Sequence, residues 1–166
     1  MDAGNDFGFV QTYLPQHIIA IRLLIAAVLG AMIGFEREVN TAQAGLRTHI
    51  LVATAATLFT ILAFEIFHTI GEGASASQAD PVRAVEAVTA GIAFLGAGAI
   101  FRDGGGVQGL TTGAGMWLAG AVGVATALGY YIIALGTALL AVVVLALLRA
   151  FAHKVLRHEA SPESDR

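Results

Sequence analysis

The sequence predicts an all-α membrane protein of five transmembrane helices, arranged as two parallel helix-loop-helix repeats plus a fifth helix. Three observations carry that expectation. Only 13% of the 166 residues are charged and 57% are hydrophobic, whereas a soluble domain is about a quarter charged. Several apolar runs reach the length of about 20 residues that a helix needs to cross the hydrocarbon. The stretch Leu29 to Val52 (LGAMIGFEREVNTAQAGLRTHILV) is answered later by Leu95 to Trp117 (LGAGAIFRDGGGVQGLTTGAGMW). Leu29-Gly30-Ala31 matches Leu95-Gly96-Ala97. Phe35-Glu36-Arg37 matches Phe101-Arg102-Asp103 with the charge order inverted. Gly45-Leu46-Arg47-Thr48 matches Gly109-Leu110-Thr111-Thr112.

Residues 1–16 read as a polar lead ending at Pro15. They hold Asp2 and Asp6 and no basic residue, unlike a signal peptide, so the first apolar run is expected to be retained. The membrane domain is expected over 17–151 and a short cytoplasmic tail over 152–166. The first helix runs from His17 to Phe35, where the charges Glu36-Arg37-Glu38 break it. The second runs from Leu46 to Ile70. A small-residue linker, GEGASASQA, leads to Asp80-Pro81, an N-cap followed by proline at the first helical position. The third helix continues from there to Phe101. Gly104-Gly105-Gly106 is costly inside a helix, so Arg102 to Gly109 is expected to be a loop. From Leu110 to Leu148 no residue is charged. As one helix that run would be roughly 60 Å long at about 1.5 Å per residue, about twice the hydrocarbon thickness. It must fold back, and Gly129-Tyr130-Tyr131 is the natural corner. The fourth and fifth helices are therefore expected at 110–128 and 131–151. With the N-terminus outside and the C-terminus in the cytoplasm, Arg37, Arg47, Arg102, Arg149, Lys154, Arg157 and Arg166 lie inside, and only Arg22 and Arg83 outside. That distribution obeys the positive-inside rule.

Three constellations are candidate sites. The inner loops bring Glu36, Arg37, Glu38, Arg47, Thr48 and His49 together with Arg102, Asp103, Thr111 and Thr112. Arg37 is expected to pair with Asp103, and Arg102 with Glu36 or Glu38. Such a group either recognises an ion or partner protein or simply fixes loop geometry. Glu36, Glu38 and Asp103 are the carboxylates that could hold Mg²⁺, which takes one or two of them and keeps several waters; Arg37 and Arg102 beside them oppose it. The second constellation is Arg22, Glu65 and Glu86, expected at one depth, roughly 7 Å below the outer surface. An unpaired charge there costs about 2 to 3 kcal/mol or more, so a bridge from Arg22 to Glu65 or Glu86 is expected, or else an ion pathway. The third is a set of packing glycines: Gly30, Gly34, Gly96, Gly98, Gly109 and Gly113. Small residues let helix backbones approach in lipid, within a chain or between protomers. There is no cysteine, no phosphate-loop pattern around the triple glycine, no histidine pair at ligand spacing and no nucleophile-base arrangement. No enzyme, no cofactor and no nucleic-acid partner is expected.

The segments GFERE, AGLRTHILVA, GIAFLGAGAIFR and GLTTGAGMWLAGAVG, in that order, resemble the MgtC/SapB family of bacterial inner-membrane proteins over residues 20 to 150. The family pattern falls on Gly34, Glu36, Arg37, Gly45, Leu46, Arg47, Thr48, Gly96, Gly98, Arg102, Gly109, Leu110, Thr111, Thr112 and Trp117. The resemblance implies a multi-helix membrane domain. In the MgtC branch it implies adaptation to low Mg²⁺ and survival inside host phagocytes, by regulation of other membrane machinery such as ATP synthase. Long members carry a cytoplasmic ACT-like domain after the fifth helix. This chain has only the tail there and is similar to the short SapB-like branch. The expected function is a non-enzymatic membrane regulator linked to Mg²⁺ or ion homeostasis, acting as a homodimer, embedded in lipid and touching a membrane-protein partner. The alternative is a small Mg²⁺ transporter or channel, with a path between the repeats or at a dimer interface. A polar path through the middle would have only Thr54, Thr57, Thr60 and Thr89 to line it.

Overall fold

The computed structural model describes residues 12–39, 42–70, 80–103 and 106–159, with the backbone alone at 70, 81, 103 and 148–159. It contains five helices: α1 (Gln16–Val39), α2 (Leu46–Ile70), α3 (Pro81–Gly98), α4 (Leu110–Ala127) and α5 (Tyr131–Glu159). Between α3 and α4 lies an antiparallel ribbon of β1 (Phe101–Asp103) and β2 (Gly106–Gln108), pairing Phe101 with Gln108 and Asp103 with Gly106. Among the described residues the fold is all-α apart from this ribbon. By length and composition, α1, α4 and residues Leu46–Thr69 of α2 could each cross a membrane. α5 contributes a shorter apolar run, Tyr131–Leu147. Three spans, rather than the expected five, therefore meet that test among the described residues.

α4 is the hub. It packs against each of the other helices, which lie around it in the order α3, α2, α1, α5. Its sequence explains that position. Thr112, Gly113, Gly115, Met116, Ala119, Gly120, Val122 and Gly123 are all buried, and small side chains on several faces let several neighbours come close. At Gly123 a Cβ would overlap the carbonyl oxygen of Ala53 and stand 2.9 Å from the Ala56 Cβ. At Gly30 of α1 it would stand 2.6 Å from the His49 carbonyl oxygen, and at Gly34 it would stand 2.8 Å from the Leu46 Cα. Ile33, Ile61 and Val122 fill the remaining core.

Four threonine hydroxyls in the bundle bond to backbone, while that of Thr54 is buried with no hydrogen-bond partner among the described residues. Thr57 Oγ1 lies 2.9 Å from the Ala53 carbonyl and 2.8 Å from that of Gly123, so its proton is shared within α2 and across to α4. Thr60, Thr89 and Thr126 each donate to the carbonyl four residues earlier, at 2.7, 2.8 and 2.8 Å. In lipid, where water is absent, this keeps a hydroxyl satisfied inside its own helix.

Local chemistry sets the helix ends. Asp80 accepts from the Val82 N–H at 2.8 Å and caps α3, as its sequence suggests. α4 ends in a Schellman motif: Gly129 is left-handed at φ 83°, Tyr130 N–H donates to Ala125 and Gly129 N–H to Thr126. Several expected bounds are corrected. α1 does not break at Phe35 but continues through Glu36-Arg37-Glu38 to Val39. These three residues propagate a helix well, and Arg37 in the last turn suits the helix dipole. α3 stops at Gly98 rather than Phe101. Arg102 to Gly109 is not a loop throughout, because Phe101–Asp103 and Gly106–Gln108 pair as strands. α5 continues past residue 151 to Glu159. The polar lead 1–11, the linker 71–79 and the tail beyond 159 lie outside the described residues.

Gly109 is the N-cap of α4 at φ 84°, and a Cβ there would also overlap the Ala99 carbonyl oxygen. Gly109→Ala should therefore lower stability by about 3 kcal/mol, whereas Gly98→Ala, which meets open space, should change it by less than about 0.5 kcal/mol. Reversible unfolding of the two variants in bilayers or mild detergent measures the difference.

Candidate functional site

The α1 C-terminus, α2 N-terminus, α3 C-terminus, ribbon and α4 N-terminus gather at one end of the bundle. Contacts of α1 and α3 with the first turns of α4 show this: Arg37 Nη2 donates to Thr112 Oγ1 at 3.3 Å, and a Cβ on Gly113 would lie 3.1 Å from the Gly96 carbonyl oxygen. The repeated loops therefore do share one end, as the sequence repeat suggests. Their charges are used differently from expectation.

Glu38 reaches across the α1–α2 turn. Its Oε2 accepts the Leu46 N–H at 2.9 Å. That N–H is in the first turn of α2, which has no partner within its own helix, and a carboxylate there also meets the positive end of the helix dipole. Gly45 leaves room for it: a Cβ there would overlap the Glu38 carboxylate and push it aside. Arg37 hydrogen-bonds Thr112, and its expected pairing with Asp103 falls on a side chain outside the described residues. Arg102, expected beside Glu36 or Glu38, is exposed on β1, with Arg47 and Thr111 also exposed. Glu36 and Thr48 are half-buried and Thr112 is buried. Among the described residues no three His, Asp or Glu side chains converge to hold a metal ion; the third candidate carboxylate, Asp103, has its side chain outside them.

His49 is the residue that the sequence reading grouped with the loop and that the structure places inside. It is 0% exposed. Its Nδ1 is 2.8 Å from the Gly45 carbonyl, so Nδ1 carries the proton. Around it stand Gly34, whose Cβ would lie 3.0 Å from the His49 Cβ, and Gly115, whose Cβ would lie 3.1 Å from Nε2. Its spacing after Gly45 was visible in the sequence; a glycine-lined niche between three helices was not.

The outer constellation does not form an ion pair. Arg22 donates from Nε to the Tyr131 hydroxyl at 3.1 Å and from Nη1 to the Ala127 carbonyl. It therefore caps the C-terminus of α4, where a cation is favoured. Glu65 accepts the N–H groups of Tyr13 and Leu14 at 2.7 and 2.9 Å, and Glu86 is exposed. The partners taken instead are backbone groups just before α1 and at the end of α4. Of the six packing glycines, Gly30, Gly34, Gly96 and Gly113 lie against neighbouring helices of the same chain. Gly109 is a turn residue, and Gly98 faces open space.

No solved structure matches the chain. Sequence relatives do. A family model described as MgtC family matches residues 23–154. Protein MgtC of Salmonella paratyphi A is 36% identical over 146 residues, covering 88% of this chain and 59% of that protein. Protein MgtC of Brucella abortus strain 2308 is 40% identical over 114 residues, covering 69% and 44% respectively. An uncharacterised protein of Haemophilus influenzae is 33% identical over 118 residues, covering 70% and 50%. The chain spans less than two thirds of the length of these curated relatives. With apolar helices of membrane-spanning length packed around α4, and with this match over most of its residues, the chain belongs to the MgtC family of membrane proteins.

Proposed function

We propose that the protein is a non-enzymatic inner-membrane regulator, linked to Mg²⁺ or ion homeostasis, that contacts a membrane partner through its charged end. The C-terminus and this end face the cytoplasm in this reading, as the distribution of Arg and Lys favours. The observation that carries it is the contrast between that end and the middle. Arg47, Arg102, Thr111 and the ribbon residues Phe101, Val107 and Gln108 are exposed. In the middle, Ile33, Ile61, Val122 and small residues fill the core, and the hydroxyls of Thr57, Thr60 and Thr126 are committed to backbone carbonyls. An exposed mix of aromatic, aliphatic and arginine side chains is the composition of a recognition surface. A committed, packed centre does not suit ion passage through one protomer. Adaptation to low Mg²⁺ and intracellular survival follow from the family resemblance and are part of the proposal. So is the homodimer, for which Gly98 is the packing glycine left open within a protomer.

The test has two arms. Photocrosslinkers placed at Arg102 and Val107 should capture a membrane protein in the cell. Arg47→Ala with Arg102→Ala should weaken that capture about tenfold, the equivalent of about 1.4 kcal/mol. Purified wild-type protein in sealed proteoliposomes should carry no Mg²⁺. Mg²⁺ flux abolished by Glu36→Ala, with no capture at the ribbon, would replace this reading by the transporter.

A further inference from the structure

α3 stands at the margin of the bundle, packed mainly against α2 and α4. On its outward face Arg83, Glu86, Ala90, Ala93, Phe94 and Ala97 are all exposed, Phe94 at 80%. Arg83 and Glu86 are the only charged residues of this helix. Neither side chain makes a hydrogen bond or ion pair among the described residues. α3 is not among the helices that by length and composition could cross a membrane, and two unpaired charges near its start weigh against burying it in lipid.

The face has an internal order. At about 100° per residue, Arg83 and Glu86 stand about 60° apart around the helix, and Ala90 and Ala97 fall on the line midway between them. Phe94 lies on the Arg83 side of that line and Ala93 on the Glu86 side. Beyond Ala93 runs a groove of about 510 Å³ between α3 and α4, lined by Ala93, Ala97, Ile100, Gly113 and Trp117. A cation and a large aromatic thus stand on one flank, an anion and a groove on the other. When two copies of a helix meet about a two-fold axis parallel to both, the left flank of one faces the right flank of the other, and the contact complements itself.

We propose that a second copy of this chain docks on this face, about a two-fold axis along the membrane normal, with Arg83 of each copy against Glu86 of the other. This rests on the homodimer reading above and gives that dimer its surface. The paired residues are offset by about 4.5 Å along the axis, which their side chains span. Ala90 and Ala97 let the two backbones approach, as small residues do between helices in lipid. Phe94 of the second copy enters the groove beside Ala93. Gly98 stands about a quarter turn from the central line, at the edge of the contact. A lipid chain could fill the groove but would leave both charges unpaired. A second copy supplies the opposite charges and the aromatic together.

The chain has no cysteine, so single cysteines report contact without background. Oxidation in bilayers should link Ala90→Cys and Ala97→Cys into dimers, since a disulfide needs Cβ atoms about 4 Å apart. Ile132→Cys, 89% exposed on α5, should stay unlinked. By energy transfer between labelled chains in bilayers, Arg83→Glu and Glu86→Arg should each weaken self-association about tenfold or more, because like charges then face each other. Mixed together, these two variants should associate as the wild type does, which also shows that both are folded. A mixture that fails to associate while the wild type dimerises overturns the pairing. A wild-type chain that stays monomeric overturns this face and the homodimer reading together. A wild-type dimer that links through Ile132→Cys, and through neither Ala90→Cys nor Ala97→Cys, overturns this face alone.

Discussion

The bundle depends on how closely α2 and α4 approach at Gly123. In water, helices are driven together by apolar area; in lipid that drive is absent and contact must come from packing and hydrogen bonds. Here both act at one place. Gly123 removes the side chain that would strike the Ala53 carbonyl, and Thr57 places its hydroxyl between the carbonyls of Ala53 and Gly123. A contact of three residues, Gly123, Ala53 and Thr57, thus fixes the separation of α2 and α4. α1 then closes on α2 through Gly30 and Gly34, and α3 on α4 through Gly96 and Gly113.

A second constraint is the shortage of water for helix ends. Each end presents backbone groups with no intrahelical partner, and in this protein the charged side chains near the ends supply them. Glu38 serves the start of α2, Asp80 the start of α3, and Arg22 the end of α4. This changes the meaning of the charge clusters. Residues that look like ion pairs in the sequence act as caps, and the groups left exposed at the charged end are Arg47, Arg102 and the ribbon. The charges of one short segment thus divide: Glu38 and Arg37 hold helices, while Arg47 faces outward.

Features carried by local chemistry were legible in the sequence. The start of α3 follows from Asp80-Pro81, the α4–α5 corner from Gly129, and α2 from an apolar run bounded by Gly45 and the small-residue linker. The repeat correctly brought the two charged segments to one end. What escaped was whatever depended on a backbone acceptor or on a neighbour in space. Hydropathy reports what lipid tolerates, so it ended the first helix at Phe35 although Glu36-Arg37-Glu38 remain helical. Glycine composition marked the segment after Phe101 as irregular although strands form around it. Arg22 was matched with acids because a sequence displays carboxylates and hides free carbonyls. His49 carried no sign of burial, since its niche is made by Gly34 and Gly115 from two other helices.

The central claim is that the Gly123 contact sets the α2–α4 spacing on which the fold rests. The direct measurement is the unfolding free energy in bilayers, by steric trapping, of Gly123→Ala beside Thr57→Val. Alanine meets a backbone carbonyl that cannot rotate away, so Gly123→Ala should cost about 2 kcal/mol or more despite its better helix propensity. Thr57→Val should cost about 0.6 to 1.7 kcal/mol, the range for a hydrogen bond between membrane helices. A Gly123→Ala protein as stable as the wild type, or more so, would contradict the account.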